Sequence, residues 1–514
     1  LPCHAANIQF TPQYTLGVFD DIEEGDCFLT NSSFAGCTHH ADYTLHVPVF
    51  YDGEPLFWTA IRAHQADCAA PEPATYLPWA KDIYEEGIHF PSVRTQENYE
   101  DKDDIIRMCK LNIRLGEEQW YGDYLGQVSG VRTGEEAIHE ICDEYGVDLV
   151  KTFSEEWIEY GERMMRQEIS ELPDTTIQHT AYHDPIHIND AAPDGVPITV
   201  KLDIRPDEEK IVADIRDNME NIPAGFNLSK ATTVASIYGG IFANLDSNIP
   251  HNNGSISRID IKMDKGKIVG EPEYPVGTSV ATTNINDTLY NAVQASFGQL
   301  GEPYGIAEGN PGMPPQWGVI SGSAFRRDGE QYINQLFHTA GGGPGVHGHD
   351  GWNLLGIVIT GGVMYRDSLE IDEQKFPILI KRNHLLQDSG GPGKWRGAPG
   401  SVSEFGPRED PMSFSYYCNA AEFPPQGILG GEAGDKAGMY IVNEDGSENH
   451  DLPTIGLEEI DPGQTVVGLI PGGGGYGNPL ERETEMVLHD VKEGYVSRDG
   501  AREDYGVVIE ETTS

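Results

Sequence analysis

Cysteine is scarce and badly placed for cross-linking: seven residues (3, 27, 37, 68, 109, 142 and 418) in a chain of 514, an odd number with no C-x-x-C pair. That excludes a disulfide-stapled scaffold and points to reduced thiols and a cytoplasmic protein. Positive charge is also short: 34 Lys plus Arg stand against 83 Asp plus Glu, a net charge of −49. Such a field repels phosphate backbones and anionic lipid, so no nucleic acid and no membrane surface is an expected partner. The acidic surplus reads as solubility at high salt, where screening relieves self-repulsion, or as acidic surface facing basic partner subunits. Long apolar runs are missing too, and none approaches the ~18 residues a membrane-spanning helix needs. The opening "LPCHAANIQF" has no basic stretch followed by an apolar one, so no signal peptide is expected. It has no initiator Met either, so further residues ahead of Leu1 are expected.

Nucleotide motifs are lacking as well. The nearest approach to a P-loop, "SGGPGKW", has Trp395 after Lys394 and Asp388 where the first glycine belongs. No Gly-x-Gly-x-x-Gly sits between a strand and a helix, and no Gly-x-Ser-x-Gly elbow is present. The chain is therefore not expected to bind a nucleotide by itself.

What is present describes an α+β protein with an α-rich first half carrying β-hairpins and a β-rich, glycine-loop second half. Three regions are expected: 1–300, 301–480 and a helical tail at 481–514. Residues 42–61 hold two β-prone runs around Asp52-Gly53, a dipeptide suited to a tight hairpin turn. A helix is predicted over 101–114. A longer helical region is predicted over 133–172, opened by a capping box from Thr133 to Glu136. Residues 196–218 read as a second hairpin, 226–245 as helix, 255–275 as strand-turn-strand around Asp264-Lys265-Gly266, and 284–300 as helix. Beyond Gly301 short strands alternate with loops such as "TAGGGPGVHGHDGWN", "DSGGPGKWRGAPG" and "PGGGGYGNP", and 481–505 reads as two short helices.

Two polar clusters stand out, "GCTHHAD" at 36–42 and "AHQAD" at 63–67. With Asp52 and Gly53 as turn residues, Tyr51 pairs with Glu54 and His64 falls opposite Ala41. His39 then shares a face with Ala41, within diagonal reach of His64. Asp42 and His40 point to the other face unless the strand ends or bends near Ala41. Two imidazoles and a carboxylate suit a divalent first-row metal (Zn, Mn or Fe) and leave coordination positions for water or substrate. The competing reading is two unrelated histidines at strand ends. Cys37 and Cys68 lie beside the clusters, more readily as small buried residues than as ligands. In "GGGPGVHGHDG", His347, His349 and Asp350, with His338 nearby, form a candidate substrate-binding group whose glycines let a ligand approach the backbone. An ordinary loop with exposed histidines fits equally.

The stretches "GCTHHADYTLHVPVFYDGE", "AHQAD", "EEGIHFP", "EQWYGDYLGQ", "PHNNGSI", "LLQDSGGPGKWRGAPG" and "PGGGGYGNPLERE" together resemble the hydantoinase B / 5-oxoprolinase family, which includes acetone carboxylase alpha-type subunits. The resemblance runs from Asn31 to Tyr505. It implies a hetero-oligomer in which a hydantoinase A-like subunit binds and cleaves ATP while the B-like subunit supplies a metal site. The implied reaction is ketone carboxylation or the opening of a cyclic amide, on a small carbonyl or cyclic amide substrate. Carried onto this chain, the family's Thr-His-x-x-Asp motif falls on Thr38, His39 and Asp42 and its second histidine on His64, so His39, Asp42 and His64 become the metal ligands. A further acidic ligand is expected upstream of Leu1. Asp67 is expected to orient a ligand histidine, and His40 to transfer a proton or to pack beside the ligand. "NSSF" and "HQADCAA" depart from the family's usual residues, which leaves the reaction open and admits a non-catalytic scaffold subunit as the alternative.

Overall fold

The computed structural model describes residues 7–313, 317–324, 329–362 and 364–510; the opening decapeptide as far as residue 6, with Cys3, lies outside them. The first sheet grows from the expected hairpin. Asp52 (φ 53°) and Gly53 (φ 80°) both take the left-handed conformation that a two-residue hairpin turn requires. Strands β1 (Cys27–Thr30), β2 (Asp42–Tyr51), β3 (Glu54–His64), β4 (Val93–Glu97) and β5 (Glu100–Asp101) assemble in the order β3-β2-β1-β4-β5. One face of this sheet buries Leu29, Tyr43, Leu45 and Val47 against the helices Asp103–Asn112 and Tyr121–Tyr145.

The helical region expected from Thr133 begins earlier, at Tyr121. Thr133 lies inside that helix and its hydroxyl donates to Ser129 O (2.9 Å), so the apparent capping box is not a helix start. The break comes instead at Gly146, at φ 85°, after which Val147–Glu171 forms a second long helix. A second sheet, β6 (Thr175–His183), β7 (Val196–Arg205), β8 (Lys210–Asp214) and β9 (Ile259–Lys262), contains the expected hairpin at 196–218. The predicted strand-turn-strand at 255–275 yields only β9, parallel to β8. The chain after it curls into a loop through Gly266 (φ 79°) and Gly270 (φ 148°) and forms no partner strand.

The helix Ile285–Ser296 packs on β6 and β7 and is buried along its whole length. Its polar residues are stapled to neighbouring loops: Asn291 exchanges two hydrogen bonds with Gly309, Gln294 donates to Ala307 O, and Asp287 accepts from Ile359 N. Burial without a partner would cost each of these groups ~1–3 kcal/mol, so the staples fix the loops that flank the site. The core around this helix crosses residue 300, taking in Val319, Ile333 and Ile357.

The second half is two antiparallel sheets. One runs β11 (Glu330–Gln335), β10 (Val319–Ala324), β14 (Met412–Tyr417) and β17 (Ile455–Ile460). The other runs β12 (Ile378–Leu385), β13 (Ser401–Pro407), β18 (Thr465–Ile470), β15 (Gly438–Val442) and β16 (Glu448–Asn449). Ile320, Phe414 and Met412 of one meet Phe405, Ile378 and Val466 of the other in a shared core. The tail forms the two expected helices, Thr484–Glu493 and Arg498–Glu503.

The glycine-rich loops pack on one another backbone against backbone. Gly345 N donates to Gly474 O, Gly391 N to Gly473 O, Gly473 N to Ala398 O and Ala398 N to Gly343 O. A Cβ on Gly473 would lie 2.0 Å from Gly343 O, and one on Gly397 1.9 Å from Gly473 O. Glycine here serves the approach of loop to loop. Gly473→Ala is expected to cost about 1–3 kcal/mol. Gly122→Ala, whose Cβ meets nothing within 4 Å on a helix, should be neutral or stabilising by up to ~1 kcal/mol. Urea unfolding of both variants checks the contrast, and equal midpoints would refute the loop-packing account.

Candidate metal centre

The hairpin places the His/Asp clusters, with one change from the expected register. Tyr51 pairs with Glu54 and Phe50 with Pro55, but Val49 pairs with Phe57, so Leu56 is an extra residue on β3. That bulge moves every later pair by one and brings His64 opposite Asp42, not Ala41. Residues 37–41 do not continue β2; they turn, with Asp42 N donating to His39 O (3.3 Å). Bulge and turn together bring Asp42 to the histidines, which ideal hairpin geometry denied it.

The ligating atoms of His39, Asp42 and His64 lie within 4.8 Å of one another. Asp42 Oδ1 is 3.2 Å from His39 Nε2 and 3.3 Å from His64 Nδ1. Each side chain is also held from behind. His39 Nδ1–H donates to Ser279 O (2.7 Å), which turns Nε2 toward Asp42 and Thr282 Oγ1 (3.4 Å). Thr38 Oγ1 donates to Asp42 Oδ2 (2.5 Å), and His64 Nε2 meets Thr75 Oγ1 (3.0 Å). Burial pulls the His39 pKa down, but the Asp42 carboxylate, helped by Ser279 O and Glu86, holds it above the ordinary imidazole value. Burial wins at His64 and lowers its pKa. Two imidazole nitrogens converging on one carboxylate oxygen, with each ring held by a second hydrogen bond, fit a divalent first-row metal.

The three residues open at one end of a cavity of about 400 Å³. Its walls mix apolar side chains, Trp317, Phe337, Ile357 and Ile359, with the polar Gln119, Asn334 and Gln335, and Tyr76 stacks on His64 at 4.8 Å between ring centroids. Asp123 and Asp367 also line it, and burial raises the pKa of both carboxyls. Sequence reasoning missed Tyr76, Asp123, Asp367 and the segment "GTSVATT" at 277–283, which supplies Ser279 and Thr282. The only local signal in that segment was its run of small and hydroxyl-bearing residues.

The remaining expected site residues lie elsewhere or act differently. Asp67 does not orient a ligand histidine: its carboxylate accepts from Arg114 Nη1 (2.8 Å), Arg114 N (2.9 Å) and Ala69 N (3.1 Å). His40 is fully buried beside His89 and Glu86, outside the cavity lining. His347 faces Glu302, His349 N bonds Val346 O, and Asp350 is clamped by Arg482, so the structure does not bring this group to the cavity. His338 Nε2 meets Ser403 Oγ (2.7 Å) in the β-rich half. Cys37 and Cys68 are buried thiols directed at the carbonyls of Thr30 and His40. Among the described residues no helix is long and apolar enough to cross a membrane.

Residues 1–479 match the sequence model of Hydantoinase B/oxoprolinase. The caprolactamase subunit beta of Pseudomonas jessenii is 30% identical over 99% of this chain and 87% of its own length. The crystal structure of the ATP-dependent caprolactamase from that organism superimposes with a TM-score of 0.87 at 28% identity, covering 99% of this chain and 87% of that one. The acetophenone carboxylase delta subunit of Aromatoleum aromaticum is 24% identical over 98% of this chain and 78% of its own. With the family's sequence pattern spanning the fold and the site alike, the chain belongs to the Hydantoinase B/oxoprolinase family.

Proposed function

We propose that this chain is the metal-binding catalytic subunit of an ATP-dependent cyclic-amide hydrolase acting on a small neutral ring, with ATP handled by a hydantoinase A-like partner subunit. The observation that carries the reading is that His39, Asp42 and His64 line a cavity together with the aromatic Tyr76, Trp317 and Phe337 and the carboxyls of Asp123 and Asp367. In it His39, Asp42 and His64 would hold a divalent cation, which would supply Lewis-acid chemistry at a carbonyl oxygen. Ser279 and Thr38 keep His39 and Asp42 aligned for that task. Tyr76, Trp317 and Phe337 take the apolar ring and exclude water around it. Asp123 and Asp367, with pKa values raised by burial, are placed to hold a proton for the departing nitrogen.

Among the described residues no Lys or Arg lines the cavity to pair with the charge of an anionic substrate. The caprolactamase relative is named for a neutral lactam, which fits; 5-oxoproline carries a carboxylate, which does not. Assayed with ATP and its partner subunit, the metal-loaded chain is expected to open a neutral lactam at least ~100-fold more efficiently than 5-oxoproline, since burying a carboxylate without a basic partner costs several kcal/mol. Preference for 5-oxoproline, or turnover only with a ketone and bicarbonate, would overturn the assignment. A chain that retains no metal would instead be the scaffold subunit.

A further inference from the structure

Beside the metal centre lies a second cluster with the same composition. His40 and Glu86 are fully buried, and the side chain of His89 is 12% exposed. Glu86 Oε2 stands 3.4 Å from His89 Nε2 and 3.8 Å from His40 Nδ1. The two rings lie 5.6 Å apart at an interplanar angle of 22°. The first cluster repeats this pattern: His39 and His64 lie 5.1 Å apart at 29°, sharing Asp42 Oδ1 at 3.2 and 3.3 Å. Two ligands held at ~2.0–2.1 Å by one tetrahedral ion are separated by about 3.4 Å, which both clusters approach.

The polar atoms of the second cluster are otherwise unsatisfied. Both ring nitrogens of His40, both of His89 and Oε2 of Glu86 are buried without a hydrogen-bond partner among the described residues. An unpartnered buried polar atom costs ~1–3 kcal/mol, so leaving all of them bare in one spot is a heavy penalty unless they share a ligand. The surrounding chain is built to hold them in place. Asn31 Nδ2 donates to His40 O (2.7 Å) and Ile88 O (2.9 Å) while its Oδ1 accepts from Phe90 N (2.6 Å), tying the two histidine-bearing segments together. Glu86 Oε1 accepts from Thr278 N, one residue before the serine that orients His39.

We infer that His40, Glu86 and His89 form a second binding site for a divalent first-row cation, separate from the cavity and structural in role. None of the three lines the cavity, so an ion there meets no substrate. It would cross-link the 36–42 turn, the 86–90 segment and, through Thr278, the 277–283 loop. Those pieces together orient His39.

The test is metal analysis and anomalous diffraction on the full chain after equilibration with Zn²⁺ or Mn²⁺ and removal of excess. Two ions per chain are expected, one on Asp42 and one within ~3 Å of Glu86 Oε2. Glu86→Gln, which keeps an acceptor for Thr278 N, should lose only the second. His89→Asn gives the same readout if that variant does not fold. A single ion on Asp42, or two ions with Glu86→Gln and His89→Asn both retaining them, overturns the inference. An ion on Glu86 with none on Asp42 upholds it and removes the proposed catalytic centre, and no ion at either place rejects both.

Discussion

Replacing Asp42 with asparagine is expected to strip the cavity site of metal and to lower lactam-opening kcat/KM by at least ~100-fold, because even outer partners of ligand histidines are worth 10–100-fold. The substitution preserves volume and leaves one oxygen to accept from Thr38 Oγ1. It removes the charge that both His39 Nε2 and His64 Nδ1 face at 3.2 and 3.3 Å. An amide NH₂ turned toward those nitrogens would hydrogen-bond them and close the site against a cation. With the Asp42 charge gone, burial is opposed only by the Ser279 hydrogen bond and the Glu86 charge, and the His39 pKa should fall from its raised value. Metal content and the NMR titration of the metal-free protein read the two effects separately. A metal-replete, fully active Asp42→Asn protein would falsify the assignment of Asp42 as a ligand. Thr38→Val, which keeps the carboxylate but removes the hydroxyl that donates to its second oxygen, should show the smaller loss expected of an outer partner, ~10–100-fold.

Much of this site was readable because its parts are local. Asp52-Gly53 forces a hairpin, and a hairpin brings 39–42 and 64 to one open end whatever the rest of the chain does. The ambiguity over Asp42 was also local in origin, yet unreadable: one extra residue, Leu56, beside Pro55 shifts the register, and no pattern of apolar residues announced it. Family resemblance named Asp42 where pairing geometry alone did not. The groups behind the ligands were beyond reach for a different reason. Ser279 is separated from His39 by 240 residues, and its contribution is a backbone carbonyl, which any residue carries.

The misreadings have the same physical root. Thr133 followed by Glu136 makes a good helix start only where the preceding residues are not helical, and Tyr121–Gly130 are. "GGGPGVHGHDG" was open between a ligand loop and a packed one because glycine serves both. The partner decides, and the partners are "DSGGPGKWRGAPG" and "PGGGGYGNP", distant in sequence and equally poor in side chains. The histidines and Asp350 in that loop therefore report on how the β-rich half is fastened.

Asp350 is the fastening point, and removing its partner is expected to have a large effect on stability. Arg482 is buried and forks onto Asp350 at 2.6 and 2.8 Å while reaching Asp490 Oδ2 at 2.7 Å. Arg396, also buried, donates to Asp490 Oδ1 (3.4 Å), and its backbone N–H reaches Asp350 Oδ1 (2.8 Å). The network ties the glycine loops to the C-terminal helix Thr484–Glu493. Arg482→Met leaves two carboxylates with too few donors in a poorly hydrated place, and breaking a buried pair from one side costs ~3–5 kcal/mol. Arg482→Lys should recover only part of this, since an ammonium cannot match the planar fork. The pH dependence supplies the second readout. Burial raises the Asp350 pKa, but Arg482 outweighs it and holds the carboxyl below its usual value. A depressed folded pKa contributes stability above the ordinary carboxylate pKa, and that stability drains away as pH falls from there through the folded value. Urea midpoints of the wild type should therefore drop on the acid side by more than those of Arg482→Met. Parallel pH profiles for the two proteins, or a loss under ~1 kcal/mol, would place the fastening elsewhere.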